Sequence, residues 1–371
     1  MRTKYISLLF IFIISMGVNA QDYSEVIEIY KECFKDKSGD KLKPYLSSDF
    51  TISGVSNKEQ IPLALNQLFT QLPLTSLTVK ETNTTNTLIN YNFNGLGERT
   101  SAMHFNDKRK ITKIELFDNL VNESRERRNA KPNPDKELSK KYPSKKVTFK
   151  VTDKRTVYGE LYEVGKDSSV ILLCHQSNFN KYEYVDIAPK LNELGFNCLA
   201  VDLTTGGDFQ GAKNETIEKT ATPIDRNSML IVYAAEEEIA AAIDYLYQRY
   251  NKQITIWGSS SSATLGIFAA SQSEKVNAAI AFSAFDHFRE NKTSLSVLIP
   301  KIDKPLFMSS ARVEASIISD LLKGIVLKEN QVHFTPKGTG EHGSKALWNG
   351  RTDAKEYWDA LKPFLNTIKK I

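Results

Sequence analysis

Residues 254–263 read Ile254-Thr255-Ile256-Trp257-Gly258-Ser259-Ser260-Ser261-Ser262-Ala263. An apolar, β-branched run gives way to four serines and then to small residues that continue helically. The run has the length and composition of a buried strand, and the serines stand where a sharp turn passes into a helix beginning near Ser261. This is the strand–turn–helix setting of a G-x-S-x-G elbow, with Ser262 in place of the last glycine. Residues two either side of such a turn must be small, because the following helix passes close to the strand end. A serine run can simply cap a helix, so the weight rests on its position after a strand.

The surroundings of this stretch supply that position. Strand runs at Val147–Val151 and Val157–Tyr162 lead to a continuous apolar strand at Ser169–His175. A helix is expected at Tyr184–Leu194, a strand at Asn197–Leu203 and a long helix at Ala234–Arg249. Beyond the serines come strands at Ala278–Ser283, Lys304–Ser309 and Gln331–Thr335, with helices at Ala315–Leu322 and Ala354–Lys369. Continuous apolar strands alternating with helices predict an α/β fold: a doubly wound, mostly parallel sheet covered on both faces. Ligands of such sheets bind beyond the carboxyl ends of the strands.

At those ends stand residues suited to nucleophilic catalysis. Ser260 is the central serine, and the backbone N–H of Ser261, at a helix start, is placed to meet a developing oxyanion. A serine hydroxyl needs a base, and the base an orienting carboxylate. Of five histidines, His342 alone lies in a loop after the last strand. His333 falls within a strand, His104 far upstream, and His287 before the acid in sequence. Glu314 follows the strand Lys304–Ser309, 54 residues after Ser260 and 28 before His342. Asp286, after the preceding strand, is the alternative acid, and Glu341 beside the histidine is expected to be solvated. The second oxyanion donor is expected after the strand Ser169–His175, at the backbone N–H of Gln176, with His175 as scaffold.

From about Lys145 onward these residues resemble the α/β-hydrolase family, near its dienelactone-hydrolase-like members. CHQSNFNKYEYVDIAPKLNELGFNCLAVDLTTGG (174–207) is similar to that group's strand–loop–helix–strand segment, WGSSSSA to its elbow, SSARVE to its acid loop, and GEHGSKALW to its histidine loop. The resemblance implies a serine hydrolase acting on esters or thioesters, or amides, through a Ser260–His342–Glu314 triad and an acyl-enzyme, without cofactor. Two departures stand out: Ser262 in the elbow, and Thr204 two residues after Asp202, where relatives often carry an arginine. Gly206–Leu230 is long and polar enough for a rim or small lid.

Upstream the character changes. Met1–Ala20 has a short basic start, an apolar run Ile6–Val18 and Val18-Asn19-Ala20, the plan of a cleaved secretory signal. The run is short of the ~20 residues of a spanning helix, so an exported chain starting at Gln21, periplasmic or extracellular, is expected. Three cysteines, two in apolar strand runs, read as buried thiols rather than a disulfide framework. Residues 21–121 predict a small α+β domain: helices around Val26–Phe34 and Leu63–Leu68, then strands at Leu74–Lys80, Thr87–Phe93, Thr100–Phe105 and Ile111–Phe117. That pattern resembles cystatin-like or nuclear-transport-factor-like cone domains. Residues 122–146 contain three prolines and nine Lys/Arg against four Asp/Glu, a composition that reads as an extended linker before the 147–371 domain.

The net charge of +5 over 371 residues is concentrated in that linker, so no basic nucleic-acid groove is indicated. Gly338-x-Gly340-x-x-Gly343 fits a dinucleotide fingerprint, yet only 28 residues follow it, too few for a βαβ unit; the glycines serve the histidine loop instead. No P-loop, H-E-x-x-H or Cys/His metal spacing occurs, so no metal is expected. The expected partner is a small-molecule acyl substrate. The rival readings are a ligand- or partner-binding protein on an inert fold, and a serine peptidase.

Overall fold

The computed structural model describes residues 22–55, 57–94, 96–152, 155–220, 229–286, 288 and 292–369. The leader with Gln21, His287 and residues 221–228 of the rim segment lie outside the described residues. The chain divides into two compact units, to Arg128 and from Asn129 onward.

In the first unit, α1 (Ser24–Asp36) buries Val26, Ile27, Tyr30, Cys33 and Phe34 on one face, the periodicity read from the sequence. Helix α2 (Ile61–Gln71) carries proline in its first turn. Strands β1 (Leu74–Thr82), β2 (Asn86–Phe93), β3 (Gly97–Phe105) and β4 (Ile111–Ile114) form an antiparallel meander in sequence order. Along β2 every second residue is buried, so one face closes the core. There Tyr30, Phe69 and Phe117 meet edge-on.

Two expectations are corrected here. The strand expected over Ile111–Phe117 stops at Ile114, and α3 runs Glu115–Asn129. Leu116 and Phe117 are buried and Leu120 packs on the same core, a helical spacing hidden behind a short alternation. Residues 122–146 are also not an extended linker. They are helical to Asn129 and again in α4 (Lys136–Lys141), where the Asp135 carboxylate caps two backbone N–H groups. Pro132 is buried, the Asn133 N–H donates to Asp186, and Asn349 donates to the Asn133 carbonyl, all within the second unit. Composition counted the charges but not their pairing, as in Arg99–Glu123 at 2.5 Å.

The second unit continues with β5 (Ser144–Thr152), β6 (Arg155–Tyr162), β7 (Ser169–Cys174), α5 (Ala188–Glu193), β8 (Phe196–Val201), α6 (Glu215–Glu218) and α7 (Leu230–Tyr250). After these come β9 (Ile254–Ser259), α8 (Ser261–Gln272), β10 (Val276–Phe282), α9 (Leu295–Leu298), β11 (Leu306–Ser309), α10 (Ala315–Leu321), β12 (Gln331–Phe334) and α11 (Ala354–Ile368). The eight strands order as β5-β6-β8-β7-β9-β10-β11-β12. From β8 to β12 all neighbours are parallel, and β6 is antiparallel to β5 and β8.

Successive strand residues face opposite helix layers. Leu172 and Ile256 pack with Ile239, Leu246 and Ile267 from α7 and α8, while Ile171, Leu173 and Trp257 pack with Leu191, Leu361 and Phe364 from α5 and α11. Each buried aliphatic side chain is worth ~1.5–3 kcal/mol, which is why these strands are apolar on both faces. Parallel pairing puts the ends of β7, β9, β10, β11 and β12 on one edge. No helix among the described residues is long and apolar enough to cross a membrane.

Candidate active site

The turn after β9 is strained. Ser260 has φ 58° and ψ −122°, a region that L residues occupy only when their surroundings force it. Its N–H donates to the Phe282 carbonyl at 2.7 Å, and its own carbonyl accepts from Ala263 at the start of α8. A Cβ on Gly258 would lie 2.2 Å from the Ser262 carbonyl oxygen, so that position admits only glycine. Ser262, the departure from the elbow pattern, is accommodated differently. It is fully buried, and its hydroxyl donates to the His175 carbonyl at 2.7 Å, pinning the helix to the end of β7.

The acid and the histidine meet. His342 Nδ1 lies 2.5 Å from Glu314 Oε1, and Glu314 Oε2 accepts from Ser283 Oγ at 2.7 Å and from the Ala311 N–H at 3.1 Å. Burial pushes the Glu314 carboxyl upward, but the hydrogen bond and charge of His342, with Ser283 and Ala311, outweigh it and hold the group below its ordinary range. Nδ1 is thereby committed, which leaves Nε2 as the nitrogen available to a hydroxyl. Asp286, the alternative acid, is occupied elsewhere: it accepts from Ser294 Oγ and the Leu295 N–H and so caps α9. Glu341 is not solvated as expected but buried, paired with Arg351 and Lys345.

The loops converge through Ser283 and Ser259, which sequence reasoning missed. Ser283, also at positive φ, accepts from the Gly343 N–H at 2.9 Å while holding Glu314. Ser259 accepts from the Ser344 N–H at 2.9 Å. A Cβ on Gly343 (φ 71°) would fall 2.4 Å from Ser259 Oγ, so only glycine lets the histidine loop lie this close to the elbow. The signal available for Ser283 was its place one residue past β10, on the same edge as Ser260. Phe285 flanks the imidazole, with ring centroids 6.2 Å apart. Among the described residues, no hydrogen bond joins the Ser260 hydroxyl to His342.

The Gln176 amide, expected as an oxyanion donor, is engaged elsewhere. The Gln176 backbone N–H does not face the site; it donates to the buried Glu183 carboxylate at 2.8 Å. The next amide, that of Ser177, has no hydrogen-bond partner among the described residues, and Ser177 Oγ lies 2.7 Å from Ser261 Oγ. Ser261 is the first residue of α8, so its N–H has no intrahelical partner. Two amides without a hydrogen-bond partner among the described residues, one at the positive end of a helix dipole next to Ser260, thus belong to residues whose hydroxyls meet. The turn at Asn178 (φ 65°) rotates this loop, a rotation that strand pattern alone does not reveal.

The remaining histidines are accounted for. His175 is fully buried and neutral: the Leu203 N–H donates to Nε2 at 2.9 Å, and Nδ1 faces the Gln176 carbonyl. Burial lowers the pKa of His333 on β12. Asp202 finds its cation in Lys181 at 2.6 Å, and Thr204 bonds the buried Glu238. All three cysteines are buried and free. Among the described residues, no group of three or more His, Cys, Asp or Glu is placed to hold a metal ion.

No protein-family model matches this chain, and no curated protein matches it. Among solved structures it is similar to the Pyrococcus furiosus esterase Pf2001, at 16% identity over 64% of this chain and 97% of that one, TM-score 0.47. It is also similar to a dienelactone hydrolase from Anabaena variabilis (16%; 61% and 98% covered; TM-score 0.46) and to the α/β hydrolase GrgF from Penicillium (14%; 62% and 100% covered; TM-score 0.47). The strand order and direction, with the strained serine between β9 and α8, give the second unit an α/β-hydrolase fold. To it is joined a unit with a small antiparallel sheet.

Proposed function

We propose that the chain is a serine hydrolase of esters or thioesters, with amides as a further bond class. Ser260 Oγ attacks the substrate carbonyl carbon, and its proton passes to His342 Nε2. Glu314 fixes the imidazole through Nδ1 and stabilises the imidazolium that forms. The carbonyl π-electrons move to oxygen, where the N–H groups of Ser261 and Ser177 receive the charge. Collapse expels the leaving group, which takes the proton from His342 and leaves an acyl-Ser260 ester. Water, deprotonated by the same imidazole, then releases the acid and restores the serine.

The observation that carries this reading is the 2.5 Å His342–Glu314 pair on the edge where Ser260 is held in a strained turn. Such strain costs ~1–3 kcal/mol and persists where the surrounding structure enforces it. Ser260→Ala tests the reading on p-nitrophenyl acetate. Turnover is expected to fall by at least ~10⁴-fold, whereas wild-type turnover in the variant refutes the nucleophile.

A further inference from the structure

Glu183 is a fully buried carboxylate to which the mechanism above gives no part. It sits in the 3₁₀ turn Lys181–Tyr184, which is capped by the Asn180 side chain. The backbone of this turn is fixed from both sides: Trp348 Nε1 donates to the Glu183 carbonyl at 2.8 Å, and the Tyr184 hydroxyl to the Cys174 carbonyl at 2.8 Å. An acid buried this deeply is costly unless it is well hydrogen-bonded. Oε2 accepts from the Gln176 N–H at 2.8 Å; Oε1 accepts from Ser259 Oγ at 2.7 Å and from Gln176 Nε2 at 3.3 Å.

Those partners precede functional residues by one position. Gln176 precedes Ser177, whose amide is proposed for the oxyanion, and Ser259 precedes the nucleophile. Because the Ser259 hydroxyl gives its proton to Glu183, its lone pair is free to accept from Ser344 N–H, two residues past His342. We infer that Glu183 is a positioning residue, whose one carboxylate sets the mutual register of the oxyanion loop, the nucleophile turn and the histidine loop. This inference rests on the serine-hydrolase reading. Burial pushes the group up to about 7, against the opposing pull of its three hydrogen bonds and of His342, so the carboxylate that accepts at both oxygens is the form present above that pH, kept at a cost in solvation. Hydrophobic packing alone would hold the loops without placing an acid beneath them. A carboxylate differs in accepting from two loops at once, which the amide of glutamine cannot reproduce at both oxygens.

The test is Glu183→Gln and Ser259→Ala, separately and together, on the full chain. Active sites are counted by fluorophosphonate labelling, so that kcat is expressed per competent site. Misplacement of reacting groups lowers kcat rather than substrate affinity, and ~10–100-fold is the size such displacements produce. We expect that fall in kcat per labelled site for Glu183→Gln, with KM within about twofold. The double variant is expected to be no worse than the more damaged single one, because both cut the same link. If Glu183→Gln does not fold, Ser259→Ala carries the test by the same split. Wild-type kcat per site in the folded variants overturns the inference, as does a loss seen only as fewer labelled sites. A wild-type chain unlabelled at Ser260 instead overturns the hydrolase reading, and the inference with it.

Discussion

Each unit of the molecule holds a histidine–glutamate pair, and the two pairs differ in what surrounds them. In the first unit His104 Nε2 lies 2.7 Å from Glu115, on the meander; in the second His342 Nδ1 lies 2.5 Å from Glu314, on loops at the sheet edge. The Glu115 carboxylate also accepts from the Ala102 N–H, so this pair joins β3 to the start of α3. The Glu314 carboxylate accepts from Ser283, which in turn holds the Gly343 N–H, so that pair joins the loops around Ser260. An acid beside an imidazole is thus no sign of catalysis by itself. The ring nitrogen it occupies and the nitrogen it leaves free decide what the histidine can do.

Breaking the pairs one at a time sharpens this contrast. Glu314→Gln is expected to lower kcat on p-nitrophenyl acetate by up to ~10⁴-fold, since the wrong imidazole tautomer is then favoured. Asp286→Asn should instead leave kcat near wild type and lower Tm, because it weakens only the cap of α9. Next in size, Ser177→Pro, which deletes the proposed oxyanion amide, should cost ~10²–10³-fold in kcat. Ser177→Ala, which keeps that amide, should cost far less. Steady-state kinetics decides both comparisons.

The two acids Glu314 and Glu183 differ in sign as pH changes. Glu314 is held below its ordinary value, so its stabilising contribution is present above that value and is lost as pH falls through it. Glu183, raised from about 4.5 to about 7, keeps a proton in the folded chain that the unfolded chain releases across that window. Stability therefore declines there as pH rises. Glu238, raised to about 7 by burial, has the same sign, so urea midpoints measured from pH 4.5 to 7 should fall less steeply in Glu183→Gln; an unchanged slope contradicts the assignment. The smallest effect belongs to the other pair. His104→Ala should leave hydrolysis intact and cost at most about 1 kcal/mol of stability, as half-exposed ion pairs do.

The sheet was legible because both its faces are covered. Strands such as Ile171–Leu173 must then be apolar without interruption, and the places of Ser260, Glu314 and His342 beyond strand ends followed from the same pattern. The Gln176 amide is engaged by Glu183, seven residues on in the chain, a bond that strand pattern does not record. Glu183 and Ser283 were missed for a related reason: each hydrogen-bonds a partner more than thirty residues away, Ser259 and Glu314 respectively. The basic stretch misled because much of it is helical and its Pro132 is buried, neither of which composition records.

The central claim is that Ser260 is the reactive nucleophile of this edge, and fluorophosphonate labelling followed by peptide mapping tests it most directly. The account predicts one phosphonyl adduct, on the peptide containing Ser260, absent after Ser260→Ala and slowed in Glu314→Gln. An adduct on another residue, or none under conditions where the chain hydrolyses p-nitrophenyl acetate, would contradict it.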